Sequence, residues 1–157
     1  MDEKILDKIM RIAEKFFDTA TDPTQMPISK ESLDKLQRLH PDTFAYKLEN
    51  GEPVSWIVVL PTTKKLAEEF LSGKINEREL LDMTEPQEKY EALYLCSAFT
   101  VPGSRRKGYA EELIKKSLAS MPLIPGALFF AWPFSEEGRV MIEKMEKELD
   151  VQIRLKE

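Results

Sequence analysis

The stretch Tyr90–Ser120 reads YEALYLCSAFTVPGSRRKGYAEELIKKSLAS. Its first eleven residues are apolar on both faces, with Leu93, Leu95 and Phe99 alternating with Tyr94, Cys96 and Ala98. Such a run predicts a central strand buried on both sides. From about Gly108 to Ser120 the apolar residues Ala110, Leu113, Ile114 and Leu118, with Met121 beyond, recur at helical spacing. Between strand and helix stand three consecutive cations, Arg105, Arg106 and Lys107, followed by a glycine. A helix start leaves its first amides without internal partners and carries the positive end of the dipole, so cations there break a local rule. Free amides, dipole and a glycine that permits close backbone approach together make an anion site. The pattern predicts a cradle for a polyanion, with a solvated basic turn as the competing reading.

The flanking sequence supplies the layers. Upstream, Ile5, Leu6, Ile9, Met10, Ile12, Ala13, Phe16, Phe17 and Ala20 form a wide helical stripe, which Pro23 and Pro27 end. A second helix is expected from Ser29 as N-cap to a stop before Pro41. Asn50-Gly51 lies between two β-rich runs and predicts a hairpin of strands at about 43–49 and 53–60, with Pro53 delaying the second and Pro61 ending it. Two short helices, TKKLAEEFLSGK and NERELLDM, follow, broken at Gly73. Downstream, GALFFAW reads as an apolar strand stopped by Pro133. SEEGRVMIEKMEKEL reads as a helix capped by Ser135, and VQIRL as a short last strand. The order predicts a mixed α/β layer structure in one domain, 1–157.

Composition limits what such a domain does. At 157 residues it can bury roughly 70% of its unfolded surface. A net charge of −5 argues against nonspecific binding to nucleic acid or anionic membranes. A single cysteine, Cys96, has no disulfide partner within the chain; its apolar setting favours a core role over that of a nucleophile. A single histidine, His40, reads as a cap or surface residue, and no metal-ligand spacing is present. The opening MDEKILDKIM has the pattern of neither a signal peptide nor a membrane span, so the cytoplasm is the expected location. Trp132 and Phe134 flank Pro133 and read as packing residues, with substrate contact as the competing reading.

The segment VPGSRRKGYAEELI resembles the acyl-CoA-binding motif of the GNAT superfamily of N-acyltransferases, Q/R-x-x-G-x-G/A, with Arg105, Gly108 and Ala110 at its fixed positions. Val101 and Pro102 resemble the family's approach to that loop, and the order of strands and helices extends the likeness over most of the chain. The segment from about Thr62 to Glu88 is longer than the family's usual connection. The resemblance implies an α/β (α+β) GNAT fold: a central mixed, mostly antiparallel sheet flanked by helices, with strands splayed at the cofactor site.

It further implies that backbone amides from Arg106 through Lys107, Gly108 and Tyr109 to Ala110 bind the diphosphate of acetyl-CoA, with Arg105 shaping the loop. Phe99, Thr100 and Val101 would pair with the pantetheine arm, and Ser135 stands where the family has an asparagine at a helix start. Attack of a primary amine on a thioester creates an oxyanion, and a fixed donor aimed at it lowers the barrier by about 3 kcal/mol. Neither a metal nor a covalent enzyme intermediate is required. The tyrosine that commonly protonates the leaving thiolate is replaced by Ile142, seven residues past Ser135. Glu91, Tyr94 and Tyr109 remain as candidates for proton handling, against plain roles in packing and strand ends. The expectation is an N-acetyltransferase, monomeric or homodimeric, acting on a small-molecule or peptide amine. The rival is a module that binds acyl-CoA without chemistry. A nucleotide-binding protein of another fold is disfavoured by the absence of G-x-x-x-x-G-K-[ST] and G-x-G-x-x-G.

Overall fold

The computed structural model describes residues 2–16, 25–133 and 136–156. Helix α1 (Glu3–Phe16) lays Ile5, Leu6, Ile9 and Ala13 against the core; Phe17, Ala20 and Pro23 lie outside the described residues. Ser29 caps α2 (Lys30–Leu39) as expected, its hydroxyl accepting from the Ser32 amide at 3.1 Å. His40 is a cap too: its Nδ1 accepts from the Asp42 amide at 3.1 Å. Pro41–Thr43 is a 3-10 turn, so the strand expected from 43 begins one residue later.

Strands β1 (Phe44–Glu49) and β2 (Glu52–Thr62) form the expected hairpin, with Asn50 and Gly51 at φ 53° and 78°. Both turn residues are left-handed, which matches the twist of the paired strands. The prolines do less than the sequence suggests. Pro53 does not delay β2, because a register shift between Lys47 and Leu48 absorbs it. Pro61 does not end β2 either. The β1 ladder stops at Phe44↔Val58, so a residue without N–H is tolerated beyond it.

Helices α3 (Lys64–Leu71) and α4 (Glu77–Met83) follow, each with its own cap: the Thr63 hydroxyl, and a reciprocal box between Asn76 and Glu79. Then come β3 (Tyr90–Thr100), α5 (Tyr109–Ser120), β4 (Leu123–Ala131), α6 (Glu136–Leu149) and β5 (Ile153–Leu155). Strand β4 was expected at 126–132. It starts earlier because Gly126, at φ 75°, carries the chain past a register shift between Tyr90 and Ala92. β5 is shorter than VQIRL.

The five strands lie in the order β1-β2-β3-β4-β5. The longer ladders, β1–β2 and β2–β3, are antiparallel, and β3–β4 and β4–β5 are parallel. Alternation along β2 sends Trp56, Val58 and Leu60 to one face, where α1 to α4 pack. Ile57 and Val59 go to the other, with Ile114 of α5 and Met145 of α6. The fold class is α/β: a mixed five-stranded sheet flanked by helices.

Strand β3 is not uniform. Ala92, Leu93 and Tyr94 are fully buried, as expected of a central strand, whereas Ser97 and Ala98 are exposed. The cause is topological. β4 pairs with β3 only as far as Leu95↔Ala131, while β2 pairs with it to Thr100. Cys96 is an extra residue where the β2–β3 register shifts, a bulge that bends the strand at the point where β4 leaves it.

Candidate functional site

The parting of β3 from β4 opens a cleft of about 800 Å³ that passes through the plane of the sheet. On one side it is walled by the loop Ser104–Gly108, the start of α5 and the α6 residues Gly138, Met141, Ile142 and Met145. On the other it reaches Ala13 of α1, the segment Gln25–Met26, Trp56 and Glu77. Cys96 to Thr100 line the passage between.

The amide of Val101 donates to the Val54 carbonyl at 2.8 Å, so residues 101 and 99 turn their peptide groups toward β2. Alternation then turns the peptide groups of Ala98 and Thr100 toward the gap. Arg105 Nε takes the Thr100 carbonyl at 3.1 Å. Phe99 and Thr100 line the cleft, although the Phe99 peptide groups, like those of Val101, turn to β2. Val101 does not line it, and its amide is spent on β2.

The loop leaves β3 by a 3-10 turn, Pro102–Ser104, and passes through two left-handed residues, Arg106 at φ 70° and Gly108 at φ 74°. Gly108 is the N-cap of α5, so the helix starts at Tyr109, one residue later than expected. Gly108 offers no side chain to the first turn. Among the described residues the amides of Gly108, Tyr109, Ala110 and Glu111 have no hydrogen-bond acceptor. A Cβ built on Gly108 would meet no atom within 4 Å, so this glycine faces open space. Free donors, a dipole end and an open approach are what an anion needs there.

The cations behave differently from expectation. The sequence suggests that all three await an external anion, but Lys107 Nζ lies 3.0 Å from Glu49 Oε2 of β1. Ser104 Oγ donates to Glu49 Oε1 at 2.7 Å. The Ser104 hydrogen bond and then Lys107 hold the Glu49 carboxyl below its ordinary value, and Glu49 raises the Lys107 ammonium. Arg105 is partly engaged through Thr100, and Arg106 lines the cleft. Tyr109 also lines it, with Lys47 and Lys107 at 5.5 and 5.8 Å from its ring centre.

The other candidates for proton handling stand elsewhere. Glu91 does not line the cleft: its exposed carboxylate accepts from the Lys64 amide at 3.1 Å, at the start of α3. Tyr94 is fully buried in a stack with Phe130, centroids 5.0 Å apart, and its hydroxyl donates to Glu77 Oε2 at 2.6 Å. Burial first, and then the nearby Cys96 and Glu77 charges, push the Tyr94 hydroxyl well above its ordinary range. Cys96 is half-buried on the cleft wall, and burial and then Glu77 push its thiol up, which keeps it a poor nucleophile. Ile142 does line the cleft, as an apolar residue of its wall. Ser135 and Phe134 lie outside the described residues. Trp132 lines the cleft mouth and packs edge-on against Phe70 at 5.9 Å.

Two residues of the site escape sequence reading. Glu77 is 4% exposed, lines the cleft, and accepts from the Met26 amide at 2.7 Å as well as from Tyr94. In sequence it is one acid in a helix's first turn, where acids are ordinary. Glu49 precedes a hairpin turn and shows no signal of its own.

No family model matches the sequence, and no curated protein matches it. A solved structure similar in backbone course is the ribosomal-protein-alanine N-acetyltransferase from Brucella melitensis biovar Abortus 2308. The likeness covers 92% of this chain and 86% of that one, at a TM-score of 0.49 and 11% identity. A likeness that faint assigns neither family nor activity.

Proposed function

We propose that the protein is an N-acetyltransferase that binds acetyl-CoA in this cleft and transfers the acetyl group to a primary amine. The observation that carries the reading is the pairing of an uncapped α5 start, behind a left-handed turn, with a strand edge left open from Cys96 to Thr100. The co-substrate supplies an activated acyl group: the amine nitrogen bonds to the carbonyl carbon as the carbon–sulfur bond breaks, the nitrogen gives up one proton, and the departing sulfur takes one up to leave as the free thiol of coenzyme A.

The chain's own part is binding, orientation and exclusion of water. The amides of Gly108 to Glu111, with Arg105 and Arg106, suit the diphosphate. The outward peptide groups of Ala98 and the outward amide of Thr100 suit the amide groups of the pantetheine arm, as an added strand would. Trp56, Met26, Ile142 and Met145 make the middle of the cleft apolar, and an oriented pair of reactants held there needs little further help. In this reading α1, α4 and the Gln25–Met26 segment wall the acceptor side, and the setting is the cytoplasm.

The test has two stages. Acetyl-CoA should raise the melting temperature by linkage, and an Arg105→Ala/Arg106→Ala double variant should lose most of that rise. Thiol release should then appear with some member of a panel of primary amines. No thermal shift with any acyl-CoA removes the reading at its base.

A second reading, an acyl-CoA-binding module without turnover, draws on one set of observations. Tyr94 is committed to Glu77, Glu91 to the start of α3, and position 142 is apolar. Tight binding with no thiol release across the panel would favour it.

A further inference from the structure

Glu49 and Glu52 face each other across the Asn50-Gly51 turn, and like charges directly opposite are unfavourable in a hairpin. Each has gone to a different cation. Glu52 pairs with Lys8 of α1 at 2.7 Å, and Glu49 turns to the anion loop. The loop meets it at its beginning, through Ser104 Oγ at 2.7 Å, and near its end, through Lys107 Nζ at 3.0 Å from one carboxylate oxygen and 3.4 Å from the other. Between these anchors lies Arg106, a non-glycine residue at φ 70°. Such a residue persists only where its surroundings hold it.

We infer that Glu49 is a positioning residue: by holding Ser104 and Lys107 it keeps the loop in the left-handed course that leaves the α5 amides open. It does not touch the proposed ligand. It acts through the loop, and its effect on coenzyme A binding rests on the function proposed above. The loop's shape does not rest on that function, so the two can be separated.

The experiment compares wild type with E49A, which removes both anchors, and E49Q, which keeps an acceptor for Ser104 and loses the charge facing Lys107. The loop carries three adjacent trypsin sites, at Arg105, Arg106 and Lys107. With no ligand present, cleavage at these sites, read by mass spectrometry, should rise about tenfold in E49A and less in E49Q, with the melting temperature nearly unchanged. Coenzyme A affinity by calorimetry should fall in the same order, about tenfold and about threefold. Cleavage at the wild-type rate in both variants would overturn the inference. So would tighter coenzyme A binding by E49Q, which would make Glu49 a competitor for Lys107. If wild type binds no coenzyme A, the proposed function fails, and the trypsin rates still decide what Glu49 does.

Discussion

From Tyr90 to Leu95, β3 is paired with β2 on one side and β4 on the other, and Ala92, Leu93 and Tyr94 have no exposed surface. From Cys96 to Thr100 it keeps β2 and loses β4, and Ser97 and Ala98 are exposed. The open half is somewhat more polar, with Ser97 and Thr100 beside Cys96, Ala98 and Phe99. Ala98 is nonetheless as apolar as Ala92 and is exposed where Ala92 is buried, so composition alone did not make the difference. A departing neighbour did. An open strand edge is ordinarily blunted with charge, proline or a covering segment. Here the edge is left open and faces the cleft. The closed half spends its peptide groups on stability; the open half keeps both peptide groups of Ala98 and the Thr100 amide available for something that docks, the Thr100 carbonyl being held by Arg105.

The sharpest way to break this comparison is to put proline in each half. Leu93→Pro should cost more than about 3 kcal/mol, because both neighbours of Leu93 are strands, and chemical denaturation should show the variant largely unfolded. Ala98→Pro should fold with a modest loss, since its N–H faces the cleft, yet bind coenzyme A about tenfold more weakly by calorimetry. Equal damage from both would mean that the open half carries structural load after all.

A smaller effect comes from the closed half's buried hydroxyl. Tyr94→Phe leaves Glu77 Oε2 without that donor in a buried site and should cost about 1–3 kcal/mol by urea melts. A value near zero would mean that Glu77 finds another donor.

The smallest concerns pH, and its sign follows from the two raised acids. Cys96 and Tyr94 are held protonated in the folded chain, with ordinary values of 9.0 and 10.0 when unfolded. Their contribution is complete below those values and is lost as pH rises above them. Stability should fall by about 1.4 kcal/mol per pH unit above 9.0 on account of Cys96, with Tyr94 adding its share above 10.0. Cys96→Ala should remove the first part of the decline, and an unchanged alkaline limb would place the cause elsewhere.

Much of the frame is legible in the chain because its signals are local. Asn50-Gly51 needs positive φ at both places, Ser29 caps α2, and a glycine after three cations marks the start of α5. What escapes is decided at a distance. Whether β3 is covered depends on where β4 turns away after Ala131, 31 residues beyond Thr100. Lys107 finds its counter-charge 58 residues back, at Glu49, so a conflict that looks like a demand for a ligand is partly met within the protein. Glu77 gains its place from Met26 and Tyr94, 51 and 17 residues away. Pro61 looks like a strand end only until the β1–β2 ladder is seen to stop at Phe44↔Val58. The free amides of α5 survive this comparison as the strongest feature that sequence and structure share.

The most direct measurement follows backbone amide signals of the ¹⁵N-labelled protein as coenzyme A is added. The account predicts that Gly108, Tyr109, Ala110 and Glu111 move most, together with Ala98 and Thr100, while the closed half of β3 stays still. Saturating coenzyme A that leaves those amides unmoved, or shifts a different face of the molecule, would contradict it.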